Sequence, residues 1–356
     1  MQENTYVAIM AGGIGSRFWP ASREERPKQF LDIMGAGQSL IRQTFERFRK
    51  LCPPSNIFVV TNKQYAALVK AQIPELTDNQ ILTEPSRNNT APCIAYTAFK
   101  LQALNPEANL IVAPSDHIIA KEEAFLKALQ QGLAFTRQND ALLTLGITPT
   151  RPDTGYGYIE VDAQSRVEEG QVLKVASFRE KPGLATAEQY LAAGHYFWNA
   201  GIFIWRASAL LNAFQAHAPE IHRILGEGIP VYNTDAEQAF IDKAYPTTPS
   251  ISVDYAIMEQ SSQVYTLPAD IGWSDLGTWA SLHAESPKDE DGNAVQGGQA
   301  YLEDCWNNLI RAPKDKQVVI GGLEDFIIVD EGGVLLIWPK SREQEIKGVV
   351  ASLSGK

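Results

Sequence analysis

The sequence predicts an α/β protein with a doubly wound mixed/parallel sheet and a small C-terminal β unit. Two observations predict it. Short β-rich apolar runs alternate with helix-period segments from the first residues onward, which is the rhythm of repeated βαβ units. Late in the chain, after a stretch rich in Pro, Asp, Gly and Asn, the pattern changes to short strands joined by Gly and acidic turns. With 356 residues, 44% of them apolar, the chain has enough material for one large core and a smaller second unit.

The elements follow in order. Tyr6 to Met10 reads as a strand, and Ser39 to Lys50 as a helix with Ile41, Phe45 and Phe48 on one face. Ile57 to Thr61 is the next strand; a helix runs from about Ala91 to Leu104, with Thr90 and Pro92 as its start signal, and Leu110 to Ala113 is a third strand. Past Leu142 to Leu145, strands are predicted at Tyr158 to Val161, Val172 to Phe178 and Gly201 to Trp205, with helices near Leu184 to Ala193 and Ser208 to Ala216. The segment Glu285 to Gly298 reads as a linker, so residues 1–285 are expected to form the main domain and 286–356 a β domain. In that tail Val318 to Gly321, Phe326 to Val329 and Val334 to Trp338 read as strands, spaced to suit a few irregular β-helix coils.

Composition excludes several function classes. A net charge of -11 argues against a surface that collects nucleic acid or anionic lipid, so a polyanionic ligand must meet a local basic cluster. Cys52, Cys93 and Cys305 are odd in number and far apart, which suggests neither a disulfide framework nor a zinc site and fits a reducing cytoplasm. The chain runs straight into an apolar strand without a basic leader, and no apolar stretch approaches the roughly 20 residues that span a bilayer. A cytoplasmic protein without a membrane partner is expected, and a homodimer is the default assembly.

Directly after the first strand comes Ala11-Gly12-Gly13-Ile14-Gly15-Ser16-Arg17, where backbone N–H groups can approach phosphates unobstructed by side chains. A tight strand-to-helix turn would account for the glycines equally well. The dinucleotide fingerprint fails, because Phe18 stands where its third glycine belongs, and the Gly-Lys-Ser/Thr of a Walker loop is absent. Instead Arg17, Arg23, Arg26 and Lys28 follow within a dozen residues. Arg23 and Arg26 read as a solvated charged turn. Arg17 sits inside the glycine loop, and Lys28 lies between a rigid proline and an apolar anchor in Pro27-Lys28-Gln29-Phe30, so these two are the candidate phosphate-binding and catalytic cations.

Two acidic residues are candidate metal ligands. Asp116 lies just past the strand Leu110 to Val112, where open α/β sheets bind ligands, and Asp275 lies in Gly272-Trp273-Ser274-Asp275-Leu276-Gly277-Thr278-Trp279. Each could instead cap a following helix. Two carboxylates with water and substrate phosphate oxygens would satisfy Mg2+, whereas no His or Cys cluster competes for another metal. His117, next to Asp116, suits a packed or capping role better than that of a base.

Taken together, Gly12-Gly13-Ile14-Gly15-Ser16-Arg17-Phe18-Trp19-Pro20 and Pro27-Lys28-Gln29-Phe30 resemble the signature of the mannose-1-phosphate guanylyltransferases. Further matching motifs include Glu84-Pro85 leading to Asn89-Thr90-Ala91-Pro92, Pro114-Ser115-Asp116-His117, Phe178-Arg179-Glu180-Lys181-Pro182, Trp198-Asn199-Ala200-Gly201 and Asp254-Tyr255-Ala256-Ile257-Met258-Glu259, so the resemblance spans nearly the whole chain. It implies a Rossmann-like nucleotidyltransferase fold ending in a short left-handed β-helix. The implied reaction joins GTP and mannose 1-phosphate into GDP-mannose and pyrophosphate, with Mg2+ on Asp116 and Asp275. The nucleotide is then met by Ala11, Gly12, Gly13, Gly15, Arg17, Lys28, Glu84, Pro85, Arg87, Asn88 and Asp116, and the sugar phosphate by Gly157, Glu180, Lys181 and Asn199.

The chain departs from the family where an arginine usually precedes Asn-Thr-Ala-Pro. Here that position is Asn88 and the arginine is Arg87, so either could meet the guanosine. The sequence ends at Lys356, which implies a monofunctional enzyme without the isomerase domain of bifunctional relatives. Rival readings are the same chemistry on another hexose-1-phosphate or nucleotide, and a non-catalytic subunit that senses GDP-mannose. The latter would be expected to have lost some of Arg17, Lys28, Asp116 and Asp275. A nicotinamide dehydrogenase fails on the missing third glycine.

Overall fold

Thr5–Met10 forms β1, a strand buried almost throughout because it sits inside the main sheet with parallel neighbours on both sides. The computed structural model describes residues 4–162 and 171–354. Further strands are β2 (Ile57–Asn62), β3 (Ile81–Glu84), β4 (Asn109–Pro114), β5 (Ile118–Ile119), β6 (Leu142–Ile147), β7 (Tyr158–Val161), β8 (Leu173–Arg179), β9 (Tyr196–Arg206), β10 (Val264–Pro268) and β11 (Trp273–Ser274). The main sheet runs β3-β2-β1-β4-β9-β6-β10-β8-β7, and the two-residue strands β5 and β11 stand outside it. β3, β2, β1 and β4 are parallel, as the βαβ rhythm requires, whereas β9 lies antiparallel to β4, β6 and β7. The sheet is therefore mixed.

Two compact units make up the chain. The first comprises Met1–Gly12, Phe45–Ser115 and Ile119–Trp273, and the second Gly13–Thr44, Asp116–Ile118 and Ser274–Lys356. This division differs from the boundary at 285/286 that the sequence suggests. The reason lies in the second core, where Phe18, Leu31, Ile33 and Leu40 from the glycine-loop segment pack with Leu276, Trp279, Leu309 and Ile327. An apolar pattern read along the chain cannot show that residues nearly 300 positions apart share one core.

In the first unit the helix Thr90–Leu104 is apolar on nearly every face, and its side chains from Ala91 to Leu101 are buried. Its cap is Asn89, whose side chain accepts from Thr90 N–H, one residue before the predicted start signal. Lys100 on this helix is buried, and its Nζ lies 2.6 Å from Glu237 Oε2. The same carboxylate accepts the Tyr96 hydroxyl and the Asn233 N–H, so its charge is fully compensated.

The second unit carries β12 (Ala294–Glu303), β13 (Leu309–Gly321), β14 (Phe326–Glu331) and β15 (Val334–Pro339) in that spatial order. The first three are stacked in parallel and β15 returns antiparallel. Asn293 and Asn308 are buried at successive turns, and Asn308 donates through both nitrogens to Asn293 Oδ1 at 3.0 Å. Since β12 begins at Ala294, the expected linker already contains the first half of that strand.

Glu237→Ala would leave the Lys100 ammonium buried without its counter-charge. The variant is expected to lose about 3–5 kcal/mol of stability, read as a lowered urea midpoint, with Glu237→Gln losing less. An unchanged midpoint for Glu237→Ala would contradict this account of the core.

Candidate active site

In the second unit, the residues after the glycine loop consume its carbonyls. Gln29 Nε2 donates to Gly13 O at 2.9 Å, Lys28 N–H to Ile14 O at 3.1 Å, and Ser22 Oγ to Gly15 O at 2.5 Å. Gly15 has φ +71°, and a Cβ there would stand 2.5 Å from Lys28 Cβ. This is a conformation and a clearance that only glycine provides. The glycine of the motif thus serves the placement of Lys28.

The Lys28 side chain is 4% exposed, with its ammonium 5.5 Å from the centroid of the Phe18 ring. Its Nζ lies 2.8 Å from Asp116 Oδ2 and donates to Asp275 O at 3.1 Å and Leu276 O at 2.8 Å. Three partners match the three donors of an ammonium. Burial would push the Asp116 carboxyl upward, but the charges of Lys28 and then His117 outweigh it and hold it below the ordinary carboxylate range.

Arg17 Nη1 donates to Gly277 O at 3.3 Å, and Gly277 N–H donates to Asp275 Oδ1 at 3.1 Å. A Cβ on Gly277 would come within 2.6 Å of Asp275 Oδ2 and 3.2 Å of Arg17 Nη1, so glycine lets the carboxylate and guanidinium approach the same backbone. Gly15, Ser16, Arg17, Lys28, Asp116, His117, Asp275, Gly277 and Lys347 line a cavity of about 290 Å3. Neither acidic residue caps a helix: the helix Trp279–Glu285 is capped by Thr278, and Glu122–Gln138 begins after Lys121. Arg23 departs from the expected solvated turn, since its Nη2 donates to Glu331 O at 3.2 Å and Gly332 O at 2.9 Å. Arg26 remains largely exposed.

The remaining candidates lie in the first unit. Ala11 is pinned to β2 through Val60 O and Thr61 Oγ1, and Gly12 comes next, where a Cβ would lie 3.6 Å from Glu84 Oε2. Burial pushes Glu84 up to about 7, and hydrogen bonds from Tyr245 and Cys93 offset part of that. Pro85 follows, half-buried, at the end of β3. Positions 87 and 88 differ in burial. Asn88 is buried and its Nδ2 is spent on Tyr245 O, Thr248 O and Thr248 Oγ1, whereas Arg87 is exposed, with Nη2 3.2 Å from the Tyr65 hydroxyl.

Gly157, Glu180 and Asn199 meet in space. A Cβ on Gly157 would stand 2.5 Å from Glu180 Oε2, and Asn199 N–H donates to Gly157 O at 2.8 Å. The Glu180 side chain is only 9% exposed, and its carboxylate pairs with the Lys181 ammonium on a side chain that is 59% exposed. Without the family resemblance the pair would read as a solvated surface pair; the burial of Glu180 contradicts that. Asn199 Nδ2 donates to Asp254 Oδ1 at 3.1 Å. Burial first, and the Glu180 charge second, push Asp254 up to about 7.

Residues 6–292 match the nucleotidyl transferase family. Mannose-1-phosphate guanylyltransferase RfbM of Salmonella typhimurium is 38% identical over 96% of this chain and 71% of its own. Xanthan biosynthesis protein XanB of Xanthomonas campestris is 38% identical over 97% of this chain and 72% of its own. A crystal structure from Thermus thermophilus, described as a mannose-1-phosphate geranyltransferase, superposes with a TM-score of 0.88 at 30% identity, covering 99% of both chains. The chain belongs to the mannose-1-phosphate guanylyltransferase family of nucleotidyl transferases.

Family membership gives these clusters their context. Sequence reasoning missed Lys347, a third cation on the 290 Å3 cavity, because it comes from the short helix Ile346–Ser354 with no motif around it. It also left Asp254 without a role, although the residue stands in a motif that the sequence displays. Gly277 lay inside the quoted Gly272 to Trp279 motif, but only the packing shows what its missing Cβ permits.

Gly15→Ala is expected to displace Lys28 while leaving both cores intact. Turnover should fall by roughly a hundredfold, because misplacing a charge by about 1 Å costs that much. Steady-state kcat/KM beside a melting curve checks it, and a variant with near-normal kcat/KM would refute the stated purpose of this glycine.

Proposed function

We propose that this protein transfers GMP from GTP to α-D-mannose 1-phosphate, giving GDP-mannose and pyrophosphate. The observation that carries the proposal is the cavity in which Arg17, Lys28 and Lys347 gather with Asp116 and Asp275, in a chain of this family. Three cations and two carboxylates suit a polyphosphate and a hard divalent cation together.

The chemistry asks little more of the protein. The sugar phosphate is already ionised at neutral pH, so one of its oxygens attacks the α-phosphorus in line and the bond from that phosphorus to the α,β-bridging oxygen breaks, releasing pyrophosphate. No base is required, so none is assigned to His117. Lys28 and Arg17 neutralise charge that builds on the phosphates as that bond breaks. Lys28 now balances Asp116, so phosphate binding would exchange one anionic partner for another rather than desolvate a free ammonium.

The donor set fits Mg2+. Among the described residues no group of three or more His, Cys, Asp or Glu converges as a closed metal cage, whereas Mg2+ takes one or two carboxylates and completes its shell with water and phosphate. Asp116 and Asp275 would hold it, and the ion would supply further charge neutralisation on the phosphates. Asp116, 29% exposed at its side chain, is accessible for that purpose.

Glu84, an acceptor beside Gly12, suits the N–H donors on the edge of guanine, and the exposed Arg87 is the better placed of the pair at 87 and 88 to meet the nucleotide. Glu180 suits a sugar hydroxyl donor, and the exposed Lys181 suits the sugar phosphate.

Pyrophosphate release with each nucleoside triphosphate and a panel of hexose 1-phosphates tests the activity. Release that requires both GTP and mannose 1-phosphate is expected; release with another pair would reassign the substrate, and silence from folded protein would favour a sensing subunit. Asp116→Asn and Asp275→Asn should each lower kcat at least about a hundredfold without unfolding the chain. Near-normal turnover at low magnesium in either variant would sink the metal assignment. Lys181→Ala should chiefly raise the KM for the sugar phosphate, as removal of a contact shared by ground and transition states does. A loss confined to kcat would move Lys181 to the transition state.

A further inference from the structure

The segment from Asp254 to Glu259 has no part in the roles above, yet it touches two of the residues assigned to the sugar. Asp254–Met258 is a π-helical turn, closed by Glu259 N–H donating to Asp254 O at 2.9 Å. An i→i+5 bond returns residues five apart to the same side of the turn, where an α-helix would leave them about 140° apart. From that side Asp254 Oδ1 accepts from Asn199 Nδ2, and Glu259 Oε1 accepts the Glu180 N–H at 3.1 Å. Ala256, Ile257 and Met258 between them are buried in the core of the unit, which anchors the turn.

The orientation of the Asn199 amide follows from a partner that cannot change its role. The backbone N–H of Gly201 can only donate, and it lies 3.1 Å from Asn199 Oδ1, so the atom facing it is the oxygen. Thr144 Oγ1 is 2.8 Å from the same oxygen. A turned amide would set its nitrogen against the Gly201 donor. In the orientation observed, Nδ2 commits one hydrogen to Asp254 and retains a second.

We propose that Asp254 is a positioning residue for the hexose: it holds the Asn199 amide so that the second Nδ2 hydrogen is offered to a sugar hydroxyl, while the Glu180 carboxylate accepts from another. The proposal rests on the reading of Asn199 and Glu180 as sugar contacts. Asn199 then acts on the sugar as a donor only, and Asp254 acts through it without touching substrate.

A double-mutant cycle tests this in the full-length enzyme, with pyrophosphate release measured against mannose 1-phosphate and GTP varied separately. Asp254→Ala should raise the KM for mannose 1-phosphate about tenfold, the scale of a hydrogen bond to a charged group, and leave the KM for GTP unchanged. The double variant with Asn199→Ala should be no worse than Asn199→Ala alone. Asp254→Asn, whose amide oxygen still accepts, should recover most of the affinity. Additive losses in the double variant, equal rises in both KM values, or a lowered melting temperature with an unchanged sugar KM would each overturn the proposal. A normal sugar KM in Asn199→Ala would instead overturn the sugar reading of Asn199, and wild-type protein without turnover would overturn the activity itself.

Discussion

The buried ammonium of Lys28 ties the second unit together. Its three donors reach Asp116 Oδ2, Asp275 O and Leu276 O, so one charge joins the three stretches of chain from which that unit is assembled. A charge with 4% side-chain exposure is stable only if every donor has a partner, and here one partner is itself a carboxylate. Gly15 is glycine because Lys28 must pass it, and Phe18 forms the apolar wall over the ammonium. Two of those stretches also supply the apolar core of Phe18, Leu31, Leu276 and Trp279, so packing and electrostatics impose the same arrangement.

That arrangement also concentrates positive charge locally in an acidic protein, as the proposed binding of a polyphosphate requires. The net charge of the chain is -11, yet the 290 Å3 cavity gathers Arg17, Lys28 and Lys347 around two carboxylates. Fields of this kind act at short range, within about 8–10 Å at physiological salt, so the local count matters more than the total. The first unit uses the opposite device. Glu84, Glu180 and Asp254 are carboxylates held with little exposure, and for Glu84 and Asp254 burial raises the affinity for a proton. Acceptors kept from water in this way gain strength toward neutral donors such as base N–H groups and sugar hydroxyls.

Much of this was legible in one dimension. The parallel strands β1, β2 and β4, the helix Thr90–Leu104 and the strands β14 and β15 fall where the apolar rhythm and the turn residues put them, whereas of β13 only the end, Val318 to Gly321, was expected. Arg17, Lys28, Asp116 and Asp275 were legible as residue types at strand ends and in a glycine loop, and they line one cavity. Less legible were the antiparallel entry of β9 and the short strands β3 and β10, because four or five residues carry too weak a period. The different burial of Arg87 and Asn88 could not be read from adjacent positions, since it depends on Asn88 finding acceptors at Tyr245 and Thr248.

By itself the sequence determined the class of fold, the basic loop that follows the first strand, and the two acidic residues suited to a hard cation. Those properties depend on local chemistry: apolar period, glycine freedom, and the charge of individual side chains. Only the tertiary structure decided where the chain divides, that Lys28 closes on Asp116, and that Asp254 orients Asn199. Each of these depends on a contact between residues more than 50 positions apart, and contact at that separation is set by how a shared core packs.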